Sequence, residues 1–103
     1  MIYVTIDKNE RDEITSFKVE GHAGFAPSGR DIVCAAVSSL VIGTVNGLSQ
    51  LTDAEFDAEV NEGVVEMTIQ ESTAYSNILL RSMVMSLEGI QEEYSDNLTI
   101  EIN

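Results

Sequence analysis

The sequence predicts an α+β fold with elements in the order ββαββαβ, an antiparallel or mixed sheet with two helices packed on one of its faces. Two observations carry this. Apolar and polar residues alternate in five short stretches, and the longer segments between them place apolar residues at helical spacing. Alternating stretches joined by short polar turns form hairpins, so the strands come mostly in pairs and the helices are left to cover one side.

The first hairpin opens with Ile2, Val4 and Ile6 alternating with Tyr3 and Thr5. The polar run Asp7 to Asp12 turns the chain, and Ile14 to Glu20 returns with Phe17 and Val19 on one face. This strand ends at Gly21-His22-Ala23-Gly24, where glycine permits backbone angles that a strand interior excludes. The loop Phe25-Ala26-Pro27-Ser28-Gly29-Arg30 holds the only proline, and Asp31 is then the N-cap candidate for a helix through Ile32 to Ile42. That helix is apolar nearly all round, which predicts a central position covered by a sheet, a helix or a second subunit. Gly43 and Gly47, four residues apart, predict close approach by a neighbouring backbone.

Ala54, Phe56, Ala58 and Val60 next alternate with Glu55, Asp57 and Glu59, a turn follows at Asn61-Glu62-Gly63, and Val65, Met67 and Ile69 alternate in return. This is a second hairpin with one wet face. Ser72 or Thr73 caps a second helix running to about Tyr94, with Tyr75, Leu79, Met83, Leu87 and Ile90 as its apolar stripe. Leu98, Ile100 and Ile102 form the last strand. Met67, Met83 and Met85 are read as core filler.

At 103 residues the chain, 1–103, suits one domain, without linker or internal repeat. Eighteen Asp and Glu against five Lys and Arg give a net charge of −13, a field that repels nucleic acid and favours encounter with a basic protein. The acidic groups are expected on solvated faces, and neither a cofactor nor a metal is expected, because no glycine-rich phosphate loop or Cys/His cluster is present. One cysteine cannot make an internal disulfide, Met1 to Asp7 lacks a basic region followed by an apolar signal core, and no uninterrupted apolar run reaches membrane-spanning length. A cytoplasmic protein with no membrane partner is expected.

The chemistry rests on Cys34 and His22, the only residues of their kinds. A cysteine attacks as the thiolate, which a nearby base, cation or helix N-terminus favours. With Asp31 as cap, Cys34 falls in the first helical turn, where free N–H groups would stabilise the thiolate and hold an oxyanion. His22, at the strand end, is within reach if the loop folds back. Ser38 shares the helical face of Cys34, and either Ser38 or Asp31 is a candidate to orient the imidazole.

At Gly21-His22-Ala23, the loop ending in Gly29, and Asp31-Ile32-Val33-Cys34-Ala35-Ala36-Val37-Ser38, the sequence resembles the ribosomal-processing cysteine proteases called Prp. The resemblance implies a His22–Cys34 catalytic dyad, supporting roles for Asp31 and Ser38, and a loop acting as a mobile cover, with Gly21, Gly24 and Gly29 read as its hinges. It further implies an endopeptidase that removes the short N-terminal extension of the twenty-seventh large-subunit ribosomal protein, and a homodimer. The rival reading is a non-catalytic acidic factor that binds a basic ribosomal protein or an assembly intermediate.

Overall fold

A computed structural model describes residues 1–21, 28–61 and 63–103, and at 28–31 the backbone alone. The elements are β1 (Ile2–Lys8), β2 (Ile14–Glu20), α1 (Ser28–Leu51), β3 (Phe56–Asn61), β4 (Val64–Ile69), α2 (Ala74–Glu93) and β5 (Leu98–Ile102), in the predicted order. They build one five-stranded sheet in the order β3-β4-β2-β1-β5. Its pairings are antiparallel except for β1 with β5, which run parallel, so the sheet is mixed.

The first hairpin is closed by Asn9, whose Oδ1 accepts hydrogen bonds from the backbone N–H groups of Arg11 (2.9 Å) and Glu13 (3.0 Å). This frees Asp12 to take a positive φ of 65°. Along the strands, Val4 faces Val19, Ile6 faces Phe17, and Phe17 in turn faces Met67. These side chains are buried, and they share one core with Val33, Val37, Val41 and Leu48 of α1 and Leu80, Met83 and Leu87 of α2. Among the described residues, no element covers the other face of the sheet, which is its bare face. There Lys18 Nζ lies 3.4 Å from Glu20 and 3.5 Å from Glu66, and the hydrogen bond it donates to Glu20 is the main reason its pKa is raised.

Thr73 is the cap of α2. Its Oγ1 accepts from the N–H of Ser76 (3.1 Å), while Ser76 Oγ accepts from the N–H of Thr73 (2.9 Å). Ser76 is thereby buried facing the core, and the sheet-facing stripe is Ser76, Leu80, Met83, Val84 and Leu87. Of the predicted stripe, Met83 and Leu87 are buried and Leu79 and Ile90 pack against the core, while Tyr75 gives way to Ser76. Leu79 points across to α1, where its Cδ1 is 3.7 Å from the place a β-carbon on Gly47 would occupy. Tyr75 and Met85, expected inside, are 73% and 69% exposed because they lie on the outward side of α2.

Three expectations about α1 and β3 also change. The core covers α1 on one side only, and the opposite stripe of Ile32, Ala35, Ser39, Ile42 and Asn46 is exposed. Among the described residues, nothing lies within 4 Å of where a β-carbon on Gly43 would stand, and one on Gly47 would meet a side chain rather than a backbone. Ile32–Leu51 is, by length and composition, apolar enough to cross a membrane, because its interrupting residues are all uncharged; in this fold its inner stripe seats on the sheet. β3 lies at the sheet edge, beyond the cover of the helices, so Phe56 is half-buried and Ala58 and Val60 are exposed.

The C-terminal strand is tied back by Asp7, which accepts hydrogen bonds from Asn103 Nδ2 (2.8 Å) and Ser16 Oγ (2.8 Å). These bonds, Asn103's first, hold the Asp7 carboxyl below the usual aspartate range. A depressed folded-state pKa contributes stability that is complete above the unfolded value and is lost as pH falls through the folded one. The urea-unfolding advantage of the native chain over Asp7→Asn should therefore be constant above about pH 5 and shrink below about pH 4. An advantage unchanged at low pH would remove Asp7 from the acid response.

Candidate active site

The site is organised from the end of β2. Gly21 has φ +92°, and a β-carbon there would run into the carbonyl oxygen of Met1, so only glycine fits. Its N–H donates to the carbonyl of Gly63 (3.2 Å) in the turn between β3 and β4. The start of β1 is held on its other side by the N–H of Ile2 donating to Asn97 (2.9 Å). The beginning of β1, the end of β2 and the tip of the second hairpin therefore meet at one end of the sheet. The turn was legible in Asn61-Glu62-Gly63, but no local signal tells that it neighbours Gly21.

His22 and Gly24 lie outside the described residues, which resume at Ser28. Gly21, read as a hinge, has a positive φ at the strand end. Gly29 does not sit in a loop: it is the second residue of α1. Asp31 is likewise inside the helix as its fourth residue, so it is not the N-cap. The reason is that nothing in Ser28-Gly29-Arg30 forbids a helix, and the one strong breaker, Pro27, precedes them in the sequence.

This earlier start moves Cys34 into the second turn, six residues and about 9 Å beyond Ser28. Its amide belongs to the hydrogen-bonded ladder, and the N–H groups of α1 without an intrahelical partner are those of residues 28–31. The expectation that Cys34 shares the first turn with those donors is overturned. Cys34 is a free, half-buried cysteine packed against the margin of the core. Ser38, one turn on and also half-buried, lies on the same flank of the helix.

A two-layer α+β domain that holds its single thiol near the start of a helix, thirteen residues past the Gly21 that follows β2, suits a thiol enzyme. Residues 1–99 match the family Cysteine protease Prp, and the chain belongs to this family. It is a cysteine protease. The chain is 34% identical over 110 residues to the ribosomal processing cysteine protease Prp of Bacillus subtilis, covering 100% of this chain and 98% of that one. It is 31% identical to the protein of the same name from Staphylococcus aureus strain NCTC 8325, with 97% of each covered. A crystal structure of the essential S. aureus protease with a substrate peptide superposes with a TM-score of 0.93 at 29% identity over the whole of both chains. Another, with a covalently linked product peptide, gives 0.91 at 30%, again covering both chains fully. A purely non-catalytic acidic factor is thereby set aside.

The Gly21 geometry makes a prediction. Gly21→Ala must change backbone conformation or push Met1 away, so it should lose more than about 1 kcal/mol of unfolding free energy. Amide NMR shifts should move at Met1, Ile2 and Gly63 together. An alanine variant of unchanged stability and spectrum would show that the close approach is not maintained in solution.

Proposed function

We propose that this chain is an endopeptidase that removes the short N-terminal extension of the twenty-seventh large-subunit ribosomal protein, with His22 and Cys34 as its dyad, working as a homodimer in the cytoplasm. One observation carries the assignment of the nucleophile: the chain is a cysteine protease and contains one cysteine. The relatives' role in ribosomal processing, and the peptide complexes of the S. aureus enzyme, support the substrate class. A surface of net charge −13 favours encounter with a basic ribosomal protein.

His22 takes the thiol proton as Cys34 Sγ bonds to the scissile carbonyl carbon, giving a tetrahedral oxyanion. Collapse breaks the C–N bond, the leaving amine takes the proton from His22, and a thioester remains. Water, deprotonated by His22, then attacks the thioester and releases the acid and the thiol. The free N–H groups at 28–31 are the helix donors available to an oxyanion, a turn before the nucleophile. Ser38 shares the flank of Cys34 and supports the dyad, as does Asp31 from the first turn.

For the homodimer, the outward stripe of α1 is the natural surface. Ile32–Leu51 carries no charged residue in a strongly acidic chain, and Ile32 is 61% exposed. Burying such side chains against a copy favours association by about 1.5–3 kcal/mol each.

Incubation with the extended ribosomal protein should yield the shortened form by mass spectrometry. Cys34→Ala and His22→Ala should each lower the rate by on the order of a thousandfold or more. A Cys34→Ala protein that still cleaves would refute the dyad. Separately, Ile42→Asp should give a folded monomer in sedimentation equilibrium, because its side chain lies outside the core. A variant that stays dimeric would move the interface elsewhere.

A further inference from the structure

β3 is the outermost strand, and among the described residues nothing pairs with its free edge. Its side chains alternate. Asp57 and Glu59 pair with Thr68 and Glu66 on the bare face, while Ala58 and Val60 pair with Met67 and Val65 on the helix side. The helices do not reach this far, and Val60 is left 57% exposed. On the bare face, Asp57, Glu59, Glu66 and Thr68 are among the residues lining a shallow depression of about 220 Å³. Asp57 accepts a hydrogen bond from Gln70 (2.7 Å) and Glu66 meets Lys18, but Glu59 has no ion-pair partner among the described residues.

We propose that this edge takes a basic, extended segment of the substrate polypeptide as an added strand, its lysine or arginine side chains over Asp57, Glu59 and Glu66 and its small apolar ones against Ala58 and Val60. The inference rests on the proposed proteolytic function and extends it to substrate recognition away from the scissile bond. Added strands gain affinity from main-chain hydrogen bonds and specificity from alternate side chains, and this edge offers both.

Charge selects the occupant. A second copy pairing edge to edge would bring the Asp57 and Glu59 carboxylates of both strands together, which disfavours it. A basic chain meets the opposite condition. Direction agrees as well: β2 and β3 are both antiparallel to β4, so both run toward the end of the sheet where Gly21 bonds Gly63. A substrate leaving that end on the C-terminal side of its scissile bond would travel back along β3 in the antiparallel sense. The six residues of β3 span about 20 Å, enough for a guest strand of similar length.

The test uses two substrates, one ending two residues past the scissile bond and one continuing through a further basic stretch. Asp57→Lys with Glu59→Lys should raise KM and lower kcat/KM for the long substrate by about tenfold, leave the short one unchanged, and reduce the salt dependence of the long one. Equal effects on both substrates, or none on either, would overturn the proposal. Binding can be read without catalysis. A synthetic peptide alternating lysine and valine, added to the Cys34→Ala protein, should shift the amide NMR signals of residues 56–61, more weakly at high salt. Shifts confined to β5 or the helices would refute the edge site even if proteolysis stands. Shifts at β3 with neither substrate cleaved would support the edge and refute the proteolytic reading of substrate.

Discussion

At Gly21 the chain leaves β2 with a left-handed backbone while pressed against the carbonyl of Met1, and no residue with a β-carbon can do both. The junction is held from two sides. The amide of Gly21 is bound to Gly63, and the strand it presses against is anchored through Ile2 to Asn97. Asn97 precedes the strand that runs parallel to β1, so a contact between residues 21 and 1 is braced by a segment near the other end of the chain. Residues 22–27 depart from this fixed point and the chain resumes in α1, which Val33, Val37, Val41 and Leu48 seat on the sheet. The positions of strand end and helix are therefore set by core packing before any catalytic group is considered.

The two-layer build also sorts charge from apolar surface. Burying one sheet face against two helices leaves the other face to water, and Lys18, Glu20, Glu66 and Glu59 stand there. The outside of α1 has the opposite character, with no charge across twenty residues. A net charge of −13 concentrated away from one helix opposes random association while leaving that helix a surface two copies could share. The same separation leaves the acidic edge of β3 free for a guest of opposite sign.

Strands on the core side were legible because a buried face enforces period two: Ile2, Val4, Ile6 and Val65, Met67, Ile69 all point inward. The same alternation at Phe56, Ala58 and Val60 overstates burial, since pattern does not reveal that a strand lies at an edge beyond its helices. Helical faces were less legible. Tyr75 and Met85 are apolar yet exposed, whereas Ser76 is polar and buried because its hydroxyl and amide are both engaged at the cap. The parallel pairing of β1 with β5 and the approach of Gly21 to Met1 join residues distant in sequence, which no local propensity encodes. Around the site, the end of β2 and the helix that follows it were legible, and the helix start was not.

That start matters for the chemistry. The field and free amides of a helix N-terminus act within its first turn, and Cys34 lies in the second. Activation of the thiol under the proposed mechanism must then come mainly from a group brought to its flank, and His22, one residue past the Gly21 junction, is the only histidine in the chain. Under the same mechanism the first-turn amides would serve the oxyanion rather than the sulfur. Under the proposed mechanism, nucleophile activation and charge stabilisation would be divided between the two sides of residues 22–27: His22, next to the Gly21 junction, as the base, and the helix start as the source of donors.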